Sequence, residues 1–240
     1  MSNDRATSTP DVLTGFDANG PYYDGLVGAN PGYHAHLRLS ATRMGLPQPG
    51  TGLRLLDAGC GTGASTAALL SCAPEAEIVG VDGSDGMLVQ ARAKRWPPSV
   101  RFVHSPIEQV SQTDAGRDFD GIFAAYLIRN VPDRDATLQE FRRLLRPGGV
   151  LVIHEYSVAD SRLARLMWNV VASTVIIPMA RLRTGDAALY RYLRTSVNDF
   201  DGASRFRDRL RNSGFEDVES HTVTGWQRNV VHTFIGRAPR

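Results

Sequence analysis

The stretch from Leu53 to Gly63, which reads Leu-Arg-Leu-Leu-Asp-Ala-Gly-Cys-Gly-Thr-Gly, constrains the fold more than any other part of the chain. It begins with a short apolar run, typical of a buried parallel strand, and Asp57 closes that run. Gly59, Gly61 and Gly63 follow at alternate positions, so the chain can turn sharply and a ligand can lie against bare backbone. The stretch therefore predicts a strand, a glycine turn and then a helix, an arrangement that binds nucleotide cofactors.

Two classes of cofactor use such a turn, and Asp57 distinguishes between them. Gly59, Gly61 and Ala64 also fit the dinucleotide pattern, with Asp82 about 20 residues later as the ribose acid. An acid directly before the glycines suits a cofactor with a cationic amino-acid end, whereas it would repel the phosphates of a dinucleotide. S-adenosylmethionine is the predicted cofactor, with a nicotinamide nucleotide and a purely structural glycine turn as the weaker alternatives.

The composition is that of a soluble globular protein with one domain. The chain has 240 residues, of which 42% are hydrophobic and 22% charged. A net charge of +2 is too small to indicate nucleic-acid binding. Cys60 and Cys72 are the only cysteines and indicate neither a disulfide framework nor a metal site. Residues 1–19 are polar and lack a signal pattern, so we expect a cytoplasmic protein.

Five apolar runs alternate with helical patterns along the chain. This alternation predicts an α/β fold with a right-handed, doubly wound parallel sheet. Two further strands at the C-terminus, joined near Gly225-Trp226, predict an antiparallel hairpin that completes a mostly parallel, seven-stranded sheet. The predicted strands cover residues 53–57, 76–82, 100–103, 119–124, 150–153, 215–223 and 230–236, and the predicted helices cover residues 33–44, 64–72, 84–95, 134–145 and 201–212.

The ends of the predicted strands supply the candidate ligand contacts. Asp82 ends the second strand, where a carboxylate can accept both ribose hydroxyls, whereas Ser84 better suits a helix cap. The turn over residues 104–108 predicts the adenine site. The loop over residues 126–132 follows the fourth strand at the carboxyl edge, where open sheets bind ligands, and is our first candidate for substrate contact.

Two segments fall outside the alternating pattern. Residues 1–50 form a polar tail and a helix, which suit either a lid over the cofactor or packing against the sheet. Residues 157–200 form an insertion with a long apolar stretch, Leu163 to Leu182, bordered by arginines. Its apolar runs fall short of the roughly 20 residues that a bilayer requires. We expect a buried helix there, with a cover for a greasy substrate, whose arginines contact lipid headgroups, as the alternative.

On these residues the chain resembles the class I S-adenosylmethionine-dependent methyltransferases and, within them, the ubiquinone and menaquinone biosynthesis C-methyltransferases. The class features are Asp57 with its three glycines, Asp82 followed by Ser84, Met87 and Leu88, and Arg146-Pro147-Gly148-Gly149. The features of the quinone branch are Arg129-Asn130-Val131, Tyr190-Arg191-Tyr192-Leu193 and Gly214-Phe215. The resemblance covers nearly the whole length and implies a single Rossmann-like methyltransferase domain over residues 1–240, with S-adenosylhomocysteine as a product.

The resemblance also implies which residues hold the cofactor. Pro106 stands where the class usually has an acid for the adenine amino group, so we expect a backbone amide such as that of Ile107 to hold adenine. The expected cofactor-binding residues are Asp57, Gly59, Cys60, Gly61, Gly63, Asp82, Gly83, Met87, Ile107 and Ala124.

Methyl transfer from a sulfonium is an in-line displacement, so the protein mainly aligns the reactants and excludes water, and no metal is required. A hydroquinone carbon becomes nucleophilic when its hydroxyl loses a proton. Arg129 could stabilise the resulting phenolate or could instead be a structural partner of a carboxylate. An arginine is a poor base, so a water, Tyr126, His154 or another histidine has to accept the proton. The expected catalytic residues are Arg129, Tyr126 and His154.

The expected reaction is C-methylation of a quinol or phenol such as demethylmenaquinol. The alternatives are O- or C-methylation of another small lipophilic or phenolic metabolite, a nicotinamide-dependent reductase and a noncatalytic cofactor-binding protein. We expect neither a metal nor nucleic acid as a partner. Peripheral contact with the inner face of a membrane and assembly into a homodimer are left open.

Overall fold

The computed structural model describes residues 30–184 and 188–240, together with residues 15, 17, 20, 23–25 and 28. In these ranges seven strands form one sheet: β1 (Arg54–Ala58), β2 (Glu77–Asp82), β3 (Val100–His104), β4 (Phe119–Ala125), β5 (Leu145–Tyr156), β6 (Glu216–Thr222) and β7 (Val231–Arg237). The helices are α1 (Tyr33–Thr42), α2 (Ala64–Cys72), α3 (Asp85–Arg92), α4 (Arg134–Leu144), α5 (Arg162–Val171), α6 (Ile177–Thr184), α7 (Ala188–Asn198) and α8 (Ala203–Asn212).

The strand order in the sheet is β3-β2-β1-β4-β5-β7-β6. The first five strands are parallel, and β7 pairs antiparallel with both β5 and β6. The predicted doubly wound sheet with a C-terminal antiparallel hairpin is therefore confirmed. Because the strand order reverses between β1 and β4, a crevice for a ligand opens at the carboxyl ends of these two strands.

Both faces of the sheet are covered, as a parallel sheet requires. Leu37 of α1, Leu69 of α2 and Trp168 of α5 belong to the buried cluster on one face. Phe141 of α4 and Phe206 of α8 belong to the cluster on the other face. The sheet is thus a rigid platform, and its carboxyl edge can position a site.

Most predicted elements lie within a few residues of their expected bounds. Helix α2 has the expected bounds, and the Ser84 hydroxyl caps α3 by accepting a hydrogen bond from the Met87 amide. The strand predicted over residues 150–153 is longer in the structure, because β5 begins at Leu145 and includes residues 147–149. There the pairing with β4 shifts register between Phe119 and Gly121, so the glycines form an irregularity inside a strand.

The insertion differs from its expected form, because its apolar stretch is not a buried helix. Helix α5, a π-helical turn (Ala172–Ile176) and α6 form one continuous segment, and Leu163 and Leu182 are 67% and 87% exposed. Among the described residues this segment alone is long and apolar enough to cross a bilayer, by length and composition only. Trp168, however, is fully buried against Tyr156, so one face of the segment is packed on the protein. The segment is therefore amphipathic, and we call residues 162–184 the amphipathic cover.

Candidate functional site

The glycine turn after β1 is held by backbone hydrogen bonds, because the Gly59 and Cys60 amides donate to the Val81 carbonyl of β2. A Cβ at Gly59 would lie 2.9 Å from Leu127, and one at Gly63 would lie 2.7 Å from Trp96, so packing accounts for both glycines. A Cβ at Gly61 would meet no described atom within 4 Å, and Gly61 lines a cavity. Gly61 therefore presents bare backbone to a space that a ligand can fill.

This space, which we call the cofactor cavity, lies along the carboxyl ends of β1, β2, β3 and β4. Six of the ten expected cofactor-binding residues line it: Gly59, Gly61, Asp82, Gly83, Met87 and Ile107. The other four, Asp57, Cys60, Gly63 and Ala124, are not part of its wall. Asp57, Cys60 and Ala124 are buried behind the turn, and Gly63 begins α2. Six expected residues therefore face one cavity, and their contact with the cofactor stays a prediction.

Asp82 lies on the wall of the cofactor cavity at the tip of β2. Its Oδ2 accepts a hydrogen bond of 2.8 Å from the Gly61 amide, and its Oδ1 accepts one of 2.8 Å from the Ser84 amide. Burial raises the pKa of Asp82 above its usual value, although these two amides oppose the shift. Each oxygen retains a further lone pair, so the fixed carboxylate can accept hydrogen bonds from two neighbouring hydroxyls.

Asp57 is fully buried beneath the glycine turn. The hydroxyls of Ser65 and Thr66 donate to its Oδ2 over 2.8 and 2.6 Å, whereas Oδ1 has no hydrogen-bond partner among the described residues. Burial raises the pKa of Asp57 to about 7. An unpaired carboxylate oxygen behind the turn favours a cation nearby. Together with the open space at Gly61, it fits a cofactor with a cationic amino-acid end.

Three described residues of the N-terminal segment, Asp17, Tyr23 and Asp24, lie at or near the cofactor cavity. The Asp17 carboxylate accepts hydrogen bonds from the Ser84 hydroxyl and the Gly86 amide, and Asp24 lies 2.6 Å from the Lys94 ammonium. Tyr23 lines the cavity itself. Other residues of the expected lid, including Phe16, Pro21 and Tyr22, lie outside the described residues. The function of residues 1–50 as a lid stays a prediction.

A second cavity, which we call the acceptor cavity, adjoins the first and is largely apolar. Its walls come from the amphipathic cover, from α7, from the N-terminal segment and from the ends of β4 and β5. The lining residues include Tyr33, Tyr156, Val175, Ile176, Met179, Leu189, Tyr190, Leu193 and Trp226. Tyr23, Tyr126 and Arg129 line both cavities. We call the place where these three residues lie the junction.

Arg129 is 9% exposed and lies at the junction as half of a buried ion pair. Its Nη1 donates to Glu155 Oε1 over 2.6 Å and to the Tyr126 carbonyl over 3.0 Å, whereas its Nε has no described partner. Although burial alone would lower the pKa of Arg129, the Glu155 carboxylate raises it above the usual value. Arg129 therefore has the carboxylate partner that was expected as the alternative to a role in the reaction. Its side chain also lines both cavities.

Tyr126 directly follows β4 and has a left-handed backbone, with φ of +57°. Its amide donates to the His154 carbonyl and its carbonyl accepts from Arg129, so its neighbours hold this unfavourable conformation in place. The ring stacks on Tyr33 and lies against Tyr156. Burial raises the pKa of the Tyr126 hydroxyl well above its usual value, so this hydroxyl stays protonated at neutral pH.

His154 lies deeper than expected, because it is fully buried and lines neither cavity. Its Nε2 is 3.1 Å from the Tyr126 hydroxyl and its Nδ1 is 2.7 Å from the Ser40 hydroxyl. Burial lowers the pKa of His154 to about 3, so the ring is neutral at physiological pH. Among the described residues, Tyr126 lies between His154 and the junction, and His154 contacts the hydroxyl of Tyr126.

Glu155, Tyr156 and most residues of the acceptor cavity lie outside the motifs that predicted a site. These residues come from distant parts of the chain, and no spacing rule links them. Two sequence signals pointed to this region. Helix α7 places Tyr190, Tyr192 and Leu193 of the quinone-branch motif on the cavity wall, and the apolar stretch over residues 163–182 places Val175 and Met179 there. In the described ranges, no group of three or more His, Cys, Asp or Glu side chains is arranged to hold a metal ion.

Comparison with solved structures places this fold among the S-adenosylmethionine-dependent methyltransferases. The Haemonchus contortus phosphoethanolamine N-methyltransferase 2, solved with S-adenosylmethionine, aligns with a TM-score of 0.64 over 99% of this chain and 59% of that one, at 18% identity. The [4+2]-cyclase SpnF aligns with a TM-score of 0.70 over 98% and 97% of the two chains, also at 18% identity. Such distant similarity shows the fold alone, and a cyclase among these structures illustrates that this fold does not fix the reaction.

Sequence comparison is more specific. Residues 32–235 match the ubiE/COQ5 methyltransferase family. A Syntrophotalea carbinolica protein named ubiquinone/menaquinone biosynthesis C-methyltransferase UbiE is 36% identical over 211 residues, which cover 88% of each chain. A demethylmenaquinone methyltransferase from Clavibacter sepedonicus is 33% identical over 78% of this chain and 74% of its own. The chain belongs to the ubiE/COQ5 methyltransferase family and is an S-adenosylmethionine-dependent methyltransferase.

Proposed function

We propose that this enzyme methylates a ring carbon of a hydroquinone-type acceptor such as demethylmenaquinol. The observation that carries the proposal is the junction, where a cavity lined by glycines and Asp82 meets a largely apolar cavity beside Tyr126 and Arg129. An acceptor with a polar aromatic head and an apolar tail matches this arrangement, because the head can reach the junction while the tail stays among apolar side chains. The names of the two relatives support the same class of acceptor.

The cofactor cavity has a fitting group for each part of S-adenosylmethionine. The Asp82 carboxylate would accept the ribose hydroxyls, the bare backbone at Gly61 would leave room for the amino-acid portion, and the unpaired oxygen of the buried Asp57 would favour its cationic end. Ile107 also lies on the wall, and its backbone amide would hold adenine. The bound cofactor supplies a methyl group on a positively charged sulfur.

The residues at the junction act on the oxygen of the acceptor. As the ring carbon attacks, the neighbouring hydroxyl loses its proton and its oxygen becomes more negative. Arg129 and Tyr126 line both cavities beside this position, where the guanidinium charge stabilises the developing phenolate and the Tyr126 hydroxyl donates a hydrogen bond to it. Neither group is a base at neutral pH, because the pKa values of both are raised. The hydroxyl proton therefore passes to water, and the ring later loses its own C–H proton to water as aromaticity returns.

Aromatic side chains surround much of the junction and reduce its contact with bulk water. Tyr23 and Tyr33 close it from the N-terminal side, and Tyr156 and the amphipathic cover close it from the other side. In this desolvated space a hydrogen bond to a developing anion is stronger than it is in water. The tyrosine rings also keep an aromatic acceptor in one plane, which aligns its carbon with the methyl group.

A second part of the proposal concerns how the acceptor arrives. Leu163, Leu166 and Val170 form an exposed apolar row on α5, and Val175 both continues the exposed surface and lines the acceptor cavity. Residues 161–184 contain four arginines and no acidic residue. This combination suits an anionic bilayer at the cytoplasmic face, where apolar side chains enter the interface and arginines contact headgroups. The enzyme then takes its acceptor directly from the membrane.

The function is tested by incubating the enzyme with S-adenosylmethionine and demethylmenaquinol and locating the new methyl group by NMR. We expect a methyl group on a ring carbon, and a methoxy signal would show O-methylation instead. Simple tail-free phenols serve as controls for the role of the acceptor cavity. Thermal stabilisation by S-adenosylhomocysteine but not by NAD separately tests the cofactor, because a ligand that binds only the native state raises its stability.

The membrane part is tested by sedimentation with vesicles that contain phosphatidylglycerol, compared with pure phosphatidylcholine. We expect binding to the anionic vesicles at low salt, release at high salt, and loss of binding in a Leu163→Gln/Leu166→Gln variant. Val89→Gln is the matched control, because Val89 is 53% exposed on α3. Equal sedimentation of the wild type and the double variant would contradict this surface.

A further inference from the structure

A continuous line of hydrogen bonds runs from the junction through the core to Arg43. Arg43 Nη1 donates to Thr233 Oγ1 over 2.7 Å, Thr233 Oγ1 is 2.7 Å from Ser40 Oγ, and Ser40 Oγ is 2.7 Å from His154 Nδ1. His154 Nε2 is then 3.1 Å from the Tyr126 hydroxyl. Ser40, Thr233 and His154 are all fully buried, so the protein has assembled this line from α1, β5 and β7 at the expense of desolvating three polar side chains.

The Arg43 guanidinium determines which atom donates in each hydrogen bond of the line. A guanidinium has donors only, so Thr233 Oγ1 accepts from Arg43 and its own hydrogen points elsewhere. Its remaining described partner is the Ser40 hydroxyl, so Thr233 donates to Ser40. Ser40 in turn donates to His154 Nδ1, which places the ring hydrogen of His154 on Nε2. His154 therefore donates to the oxygen of Tyr126.

The opposite direction leaves a buried hydrogen without a described acceptor. In that arrangement His154 Nδ1 donates to Ser40 and Ser40 donates to Thr233, whose oxygen then accepts twice. The Thr233 hydrogen would be unpaired in a fully buried position, at the cost of an unsatisfied polar group. The direction set by Arg43 pairs every hydrogen from Arg43 to His154 and leaves only the Tyr126 hydroxyl hydrogen for a partner at the junction.

The charges around His154 keep the ring neutral, as this direction requires. The groups that face it are His36, Arg43 and His232, each of which opposes protonation of His154, and burial acts in the same sense. A neutral ring has one donor and one acceptor nitrogen, so it transmits the direction of the line from Nδ1 to Nε2.

We infer that Arg43, Thr233, Ser40 and His154 are positioning residues that hold the Tyr126 hydroxyl as an acceptor from His154, so that its own hydrogen is donated at the junction. This inference rests on the proposed function, in which an oxygen of the acceptor becomes negative beside Tyr126. Tyr126 also lies against Tyr156, which lines the acceptor cavity. The line thus ends in the hydroxyl hydrogen of Tyr126 at the junction, and a developing phenolate can accept it.

The direct test is the tautomer of His154 in the wild-type enzyme without acceptor, measured by 15N NMR with a His154→Gln variant for assignment. We expect hydrogen on Nε2 and a neutral ring across the physiological pH range. Hydrogen on Nδ1 would overturn the inference. Because this measurement involves no acceptor, its outcome is independent of whether demethylmenaquinol is the substrate.

The functional test is a double-mutant cycle between Thr233 and Tyr126. Thr233→Val keeps the shape but removes the hydroxyl, and we expect turnover to fall about tenfold with KM for the acceptor little changed, while Thr233→Ser restores turnover. In a Tyr126→Phe background, Thr233→Val should have almost no further effect. Equal fold-losses in both backgrounds would show that Thr233 is merely structural and would overturn the inference. If the wild-type enzyme does not methylate the acceptor, that result would instead count against the proposed function.

Discussion

The cofactor cavity and the acceptor cavity meet at three residues, yet they are built in different ways. The first is formed by short turns that directly follow strands, and Gly59, Gly61 and Gly83 are within a few residues of a strand end. The second is formed by side chains from the N-terminal segment, the amphipathic cover, α7 and Trp226. The sheet determines the wall of the cofactor cavity, because the turns follow its strands. The packing of separate segments on the sheet determines the wall of the acceptor cavity.

This difference explains how one fold serves many methyl acceptors. The turns at the strand ends cannot change without disturbing the sheet, so the cofactor site is fixed by the fold. The cover packs Trp168 on Tyr156 of β5, whereas its Leu163, Leu166 and Val170 are exposed and do not hold the sheet. Substitutions in the two regions should therefore have separable effects on cofactor binding and on turnover.

The largest expected effect is on the cofactor side. Gly61→Val should reduce the affinity for S-adenosylhomocysteine by more than about 100-fold, because the new side chain enters the space that faces the backbone of Gly61. Isothermal titration calorimetry on the folded variant measures this loss. Gly45→Val is the matched control, since Gly45 also has a positive φ and open space around its Cβ but lies away from both cavities. Retained affinity in Gly61→Val would exclude the proposed placement of the cofactor.

At the junction, Arg129→Leu should lower single-turnover rates by about 100-fold or more, with cofactor affinity retained. The variant should also lose about 3–5 kcal/mol of stability, because Glu155 is left buried without its partner. A double variant, Arg129→Leu/Glu155→Gln, removes the unpaired charge and should regain stability but not turnover. Recovery of both properties would show that Arg129 is structural and takes no part in the reaction.

A smaller effect is expected for Asp82→Ala, which should weaken binding of S-adenosylhomocysteine by about 1–3 kcal/mol through loss of the ribose hydrogen bonds. Turnover at saturating cofactor should change little, because Asp82 lines only the cofactor cavity. Asp85→Ala is the control, since Asp85 is an exposed carboxylate in the first turn of α3. An unchanged dissociation constant for Asp82→Ala would refute the ribose contact.

The smallest effect concerns how the free energy of unfolding changes with pH. Asp57, on the cofactor side, and His154, on the acceptor side, act on it in opposite directions. The pKa of His154 is lowered from 6.5 to about 3, so its contribution is present above pH 6.5 and is lost as the pH falls towards 3. The pKa of Asp57 is raised from 3.8 to about 7, so its contribution is present below pH 3.8 and is lost as the pH rises through 7. Relative to wild type, His154→Gln should lose less stability on acidification and Asp57→Asn should lose more.

Urea denaturation of the three proteins at about pH 5 and about pH 8 measures these slopes. The two pH values lie on either side of the ordinary histidine pKa and of the raised pKa of Asp57. Parallel changes in all three proteins would show that neither group titrates differently in the folded and unfolded states.

The sequence predicted the cofactor side well and the acceptor side poorly, and particular elements show why. Helix α2 and Asp82 were found because a strand, a glycine turn and a helix are adjacent in the chain and have distinctive residues. The amphipathic cover was expected to be a buried helix, because an apolar stretch shows hydrophobicity but not which of its faces is covered. A proline inside a helix usually ends or bends it. The helical segment nevertheless continues through Pro178, because this residue lies in the first turn of α6, directly after a π-helical turn.

The sequence by itself determined the sheet, the glycine turn and the class of cofactor, because each depends on local periodicity and on residue types within a few positions of one another. Only the tertiary structure decided the partner of Arg129, the deep burial of His154 and the line of hydrogen bonds that connects Arg43 to Tyr126. These features join residues up to 193 positions apart, as in the contact between Ser40 and Thr233. Such contacts depend on which strand packs beside which helix, and no local pattern in the sequence encodes that choice.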